Sequence, residues 1–205
     1  MDFTASSANP SGIKVDCLIL STDAQLGGAF SDMDIKLHKE LLSLIKLSKF
    51  DGKNGSVRTV YTPTLPFKLV ILVGTTGKVT MQGQIESIAT AASHLVKSNV
   101  KKAIWVDASN VNDISWHSYM VARNVSQASY KYQKQQKPMS TRMKLLVYWT
   151  PSRKDLQKAK EGLNFGAAVG KGINTSRQLG NLPANICTPS YLSRFAREMA
   201  KESPK

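Results

Sequence analysis

The stretch Phe67-Lys68-Leu69-Val70-Ile71-Leu72-Val73-Gly74 decides the fold. From Leu69 to Val73 every side chain is apolar, and successive side chains of a strand point to opposite faces. A strand of this kind must be covered on both sides, as at the centre of a sheet flanked by helices. Working outward, Val15 to Leu20, Ala103 to Asp107 and Met143 to Trp149 read as further strands, and Phe3 to Ser6 as a short first one. Ser56 to Tyr61 sets Val57 and Val60 among polar residues and reads as a strand with a wetter face. Between the strands, apolar residues recur at helical spacing over Asp34 to Lys46, Gln84 to Val96 and Ile114 to Tyr132. The alternation predicts a three-layer α/β domain with a mixed, mostly parallel sheet.

The composition is that of an ordinary globular protein, 41% hydrophobic and 20% charged, and 205 residues suit one domain with an appendage. Cys17 and Cys187 form no close pair and read as reduced thiols of a cytosolic protein. Met1 to Pro10 is polar and carries Asp2, unlike a signal peptide. No apolar run approaches the ~20 residues of a membrane helix, so no membrane partner is expected.

The net charge of +14 has two readings. It marks an acidic partner, nucleic acid above all, or a lysine-rich surface balanced by acidic residues elsewhere in a larger protein. The candidate nucleic-acid patch is Lys131, Lys134, Lys137, Arg142, Lys144, Arg153 and Lys154, with Tyr132, Tyr148 and Trp149 interleaved. Phosphate neutralisation and base stacking use such residues; equally, the stretch is a loop and a strand whose aromatics pack inward. Gly74 to Thr80 resembles a phosphate loop but has Val79 where a P-loop needs Ser or Thr. What survives is a strand-end amide cradle for a nucleotide phosphate. His38, His94 and His117 fall in helical stretches and are read as structural. The acid pairs Asp32/Asp34 and Glu198/Glu202 are read as solvated charges.

Past the last strand, Asp155 to Leu179 reads as one long helix interrupted by Gly162, Gly166, Gly170 and Gly172. Each costs a helix ~1 kcal/mol against alanine, a cost that close packing against a neighbouring element offsets. The helix meets Gly180 and Asn181, which favour a left-handed helix end, and Pro183 blocks its continuation. Thr188-Pro189 then starts a last helix to Lys201, with threonine as cap and proline in the first position.

This connector resembles the segment of the leucine aminopeptidase (cytosol aminopeptidase) family that leads into its catalytic domain. Gly172, Arg177, Leu179, Asn181, Pro183, Asn185, Thr188, Pro189 and Leu192 carry the resemblance; Ala184 departs from it, where many members have a second proline. Of these, Arg177, Asn181, Pro183, Asn185, Thr188 and Pro189 are taken as the structural linker motif. The resemblance implies a macrodomain-like N-terminal domain over 1–152, a connecting helix over 153–181 and the start of a catalytic domain over 182–205. It implies a parent enzyme that removes N-terminal residues from peptides, uses two divalent metal ions (zinc or manganese), and works as a cytoplasmic hexamer. The family's ligand motif Asn-Thr-Asp-Ala-Glu-Gly-Arg is absent from the sequence, so the metal ligands are expected beyond Lys205. This chain is then expected to hold no metal and to be inactive alone, and to pack and assemble with the catalytic domain. The alternative is a stand-alone basic α/β module that binds nucleic acid or a nucleotide. The helix after Pro189 discriminates: its apolar face is exposed in a part of a larger protein and buried in a finished domain.

Overall fold

A computed structural model describes residues 1–26, 35–76, 80–108, 113–132 and 142–202. The elements in chain order are β1 (Asp2–Ser6), β2 (Cys17–Thr22), α1 (Ile35–Leu47), β3 (Val57–Tyr61), β4 (Leu69–Gly74), α2 (Met81–Lys97), β5 (Lys102–Asp107), α3 (Ile114–Ala128), β6 (Leu145–Trp149), α4 (Leu156–Asn181) and α5 (Pro189–Glu202). The strands form one sheet in the order β1-β6-β5-β2-β4-β3. All neighbours pair in parallel except β3 and β4, which are antiparallel. The predicted mixed, mostly parallel sheet followed by a long helix is the fold observed.

Alternation along the central strands builds two cores. Cys17 and Ile19 of β2, with Leu69, Ile71 and Val73 of β4, face α2, α3 and α4 through Ala91, Leu95, Val121, Val125, Ala159 and Leu163. Leu18 and Leu20, with Val70 and Leu72, face the other way into a core closed by Leu37, Leu41, Leu44 and Ile45 of α1. All six residues of β2 and all six of β4 are buried. The continuous apolar run of β4 is thus accounted for residue by residue, half to each layer.

Three helix boundaries differ from the sequence reading. Helix α2 starts at Met81, not Gln84, because the Thr80 hydroxyl accepts the Gly83 amide (3.1 Å) and caps the first turn. Helix α3 stops at Ala128 rather than reaching Tyr132. There the Ser129 hydroxyl donates to the Val125 carbonyl (2.8 Å), and Tyr130 leaves the helix to lay its ring against α4. The left-handed end expected at Gly180 and Asn181 is not formed, since neither residue has positive φ. Helix α4 runs through both, and it is Leu182 that turns extended (φ −70°, ψ 138°). A residue before proline is driven out of the helical region, so Pro183 alone is enough to end α4.

Candidate functional site

The linker motif sits at the far end of a parallel helix pair. Helices α3 and α4 both start at the edge where the parallel strands end, and they stay in register along their length. A Cβ on Gly162 would strike Ser115 and Ser118, one on Gly166 would strike the Tyr119 carbonyl and Ala122, and one on Gly170 would strike Ser126 and the Arg123 carbonyl. Asn174 continues the same row, its amide donating to the Ser126 carbonyl (2.8 Å). Four-residue spacing keeps these positions on one helix face, so the two backbones lie close along a seam of small side chains. The close packing expected of the glycines holds for these three. Gly172 departs: it lies two residues off the row, is exposed, and a Cβ there would meet nothing.

The motif residues finish this seam and launch α5. The Arg177 guanidinium donates to the Gln127 carbonyl (3.4 Å) and stands 6.0 Å from the Tyr130 ring centre. The Asn181 amide donates to the Tyr130 hydroxyl (3.0 Å), which donates to Gln178 (3.2 Å). Arg177 and Asn181 therefore clamp the end of α3 to the end of α4. The Pro183 carbonyl accepts the amides of Ile186 (2.9 Å) and Cys187 (3.0 Å), which closes the turn. Asn185 is exposed at its tip. The Thr188 hydroxyl accepts the Tyr191 amide (3.3 Å) as the cap of α5, and Pro189 is its first residue.

Helix α5 carries its apolar side into solvent. No residue from 189 to 201 is buried. Leu192 is 43% exposed, Met199 48%, and Ile186 in the preceding turn 40%.

A buried polar relay was not anticipated. His117 Nε2 lies 3.0 Å from Asp107 Oδ2, and His117 Nδ1 lies 2.8 Å from the Tyr148 hydroxyl. A carboxylate only accepts, so Nε2 carries the hydrogen that it donates to Asp107; in the neutral imidazole Nδ1 then accepts from Tyr148. The relay ties α3 to β5 and β6. Burial, and then the Asp107 charge, raise the Tyr148 pKa, so the hydroxyl stays protonated and able to donate. Burial, and then Asp16, likewise raise the Cys17 thiol. Both folded pKa values lie above their unfolded ones, so this stability is complete below the ordinary thiol and phenol pKa values, about 8.5 and 10, and is lost as pH rises past them. A denaturant midpoint that falls between pH 8 and pH 10.5 checks this; a flat profile contradicts it.

The basic stretch is split by the fold. Arg142 and Lys144 are exposed just before β6 begins, and Arg153 and Lys154 are exposed just after it ends. The strand between them spans roughly 16 Å at ~3.3 Å per residue. Lys131 follows the end of α3, while Lys134 and Lys137 lie outside the described residues. Tyr148 and Trp149 are each only 2% exposed and serve the core, not a stacking surface. In the strand-end loop, the Thr75 and Thr76 amides already donate to the carbonyls of Thr22 (3.2 Å) and Gly52 (2.8 Å), so neither is available to a phosphate. Gly77 to Val79 lie outside the described residues. Asp32 and Asp34 also lie outside them; Glu198 is exposed on α5.

Among the described residues, no three His, Cys, Asp or Glu side chains come together as metal ligands. A two-metal centre does not fit these residues, and no chemical step through one is derived from them.

Comparison with known proteins agrees with this geometry. Residues 18–138 match the profile described as the cytosol aminopeptidase family, N-terminal domain. The probable cytosol aminopeptidase of Alcanivorax borkumensis is 30% identical over 215 aligned residues, covering 100% of this chain and 42% of that protein. The chain thus spans about two fifths of the length of the curated relatives it matches. Among solved structures, a mutant of tomato leucine aminopeptidase has the same fold, with a TM-score of 0.76 at 18% identity over 98% of this chain and 42% of that one. The bottromycin maturation enzyme BotP in complex with Mn follows, with a TM-score of 0.63 at 19% identity over 92% of this chain and 36% of that one.

Proposed function

Since the chain belongs to the cytosol aminopeptidase family, through that family's N-terminal domain, we propose that it serves as the non-catalytic, assembling part of a metal-dependent aminopeptidase that trims N-terminal residues from peptides. The observation that carries this reading is α5: none of its residues from 189 to 201 is buried, Leu192 on it is 43% exposed, and Ile186 in the turn before it is 40% exposed. An amphipathic helix of this kind gains its stability by docking its apolar side. The α3–α4 seam and the Arg177–Tyr130–Asn181 clamp fix where α5 starts, so they aim its face at a partner surface. In this reading the partner surface belongs to the catalytic unit. Any metal chemistry of that reaction, with two zinc or manganese ions as the resemblance implies, would lie in that unit. The residues of this chain hold α5 in place and take no part in bond breaking. Hexamer formation, as the resemblance implies, would use further surfaces of the same domain.

Incubating the purified chain with leucine p-nitroanilide and added zinc or manganese tests the non-catalytic assignment. No p-nitroaniline above the metal-only blank is expected. Release that requires the metal and scales with the chain would overturn it.

A further inference from the structure

We infer that the outer edge of β3 is an association surface for a second copy of this chain, the two β3 strands pairing antiparallel about Thr59 so that the sheet continues from one copy into the next. This rests on β3 alone and is independent of the aminopeptidase reading. Strand β3 is the last of the sheet and pairs with β4 in unbroken register from Val57 opposite Val73 to Tyr61 opposite Leu69. The hydrogen bonds at its two ends fix which residues face β4. The Gly74 amide donates to the Ser56 carbonyl (2.9 Å), and the Thr62 amide donates to the Lys68 carbonyl (3.2 Å). Antiparallel ladders alternate, so Arg58 and Val60 also bond to β4, while Val57, Thr59 and Tyr61 turn their amides and carbonyls outward. Among the described residues nothing pairs with that side. Nor does β3 contain a proline, a lysine or a bulge, the devices that shield an edge strand.

A second copy is the occupant because the strand complements itself in one register. With the two Thr59 residues opposite each other, Val57 faces Tyr61 of the second copy and Arg58 faces its Val60. Every outward residue then exchanges both main-chain hydrogen bonds with a counterpart. Thr–Thr and aromatic–β-branched pairs are among those that stabilise antiparallel neighbours. The Thr59 hydroxyl is bonded to His94 Nδ1 (3.1 Å), and since a hydroxyl both donates and accepts, it keeps one capacity for its counterpart. Tyr61, 74% exposed in the single chain, gains cover from the second copy's Val57. The neighbouring registers are worse. Sliding by two residues one way sets Arg58, the only charge on β3, against itself. Sliding the other way sets Pro63, which has no amide to donate, opposite Val57. The edge at β1 is less suited. Its amides at Asp2 and its carbonyl at Ser6 bond to the β6 side, so alternation leaves only Phe3 and Ala5 facing outward, and both are partly buried.

Sedimentation velocity of the purified chain tests the proposal. A single strand pair is a small interface, so the chain should be monomeric at ~10 μM and increasingly dimeric toward ~1 mM. Thr59→Pro removes an outward amide and leaves every bond to β4 in place. It should abolish the dimer while lowering the melting temperature by less than about 5 °C, the loss of the His94 contact alone. Tyr61→Lys puts a lysine on the edge and should weaken the dimer by roughly 10-fold or more; it decides the matter if Thr59→Pro fails to fold. Leu192→Glu changes the exposed side of α5 and should leave the dimer as it is. A chain that stays monomeric to ~1 mM, a dimer that persists in a folded Thr59→Pro or Tyr61→Lys chain, or a dimer that Leu192→Glu abolishes would each overturn it.

Discussion

Gly166→Val should destabilise the chain by about 3 kcal/mol, near the upper end of what overpacking costs, and lower its melting temperature by roughly 6–12 °C. The reason is the nature of the obstacle. A Cβ at Gly166 points at the Tyr119 carbonyl and at Ala122. A main-chain carbonyl inside a helix cannot rotate away as a long side chain can. Relief requires α4 to slide off α3, which opens the small-residue seam and strips Ala159 and Leu163 from the core they share with Val121 and Val125. The two γ-methyl groups of valine make that shift larger than alanine would. Gly172→Ala is the contrasting substitution on the same helix. Its Cβ enters open space, so the only change is in backbone freedom, and a gain of up to ~1 kcal/mol is expected. Urea melts of both variants against the parent check the pair. Equal effects at Gly166 and Gly172 would mean that the seam does not hold the helices together.

His117→Ala should cost about 3 kcal/mol, because it removes the Nε2 hydrogen bond to the buried Asp107 carboxylate and leaves a cavity where the ring packed. The Asp107 side chain is only 8% exposed, and Tyr148 loses the acceptor of its hydroxyl at the same time. His117→Phe separates packing from polarity. It refills most of the ring volume but restores neither hydrogen bond, so it should recover less than half of the loss. Full recovery with phenylalanine would show that the relay contributes volume alone. These residues are 10 and 31 positions apart along the chain. They meet only once β5 and β6 pair with Trp105 opposite Tyr148 and α3 folds back across them. A lone histidine on a helical stripe gives no sign of that. The one available signal is an aspartate ending an apolar strand, a polar group that burial obliges to find a partner.

What was legible followed from local pattern. The run Leu69 to Val73 could only be covered on both faces, and the i+4 glycines of α4 could only be explained by close approach. Gly172 lies among them in the sequence, but its spacing sets it on another face of the helix. Gly180 and Asn181 permit a left-handed turn at the end of α4, but the steric demand of Pro183 on Leu182 acts first and makes it unnecessary. The basic stretch from Lys131 to Lys154 is split for a topological reason. Lys144 and Lys154 are close in sequence but lie at opposite ends of β6, whereas Lys68 and Lys102 are distant in sequence and begin strands on either side of β2. The linker motif was the most legible of the candidate sites, since proline, threonine caps and glycine rows act on their immediate neighbours.

Amide hydrogen exchange along the isolated chain tests most directly whether α5 is built to be covered by a partner. With no buried residue from 189 to 201, its amides should exchange through local opening, orders of magnitude faster than those of α3 and of α4 from Ala159 to Gly170. Protection in α5 equal to that of α3 and α4 would mean that the helix is already secured by its own domain, and the assembling role proposed for this chain would have to be abandoned.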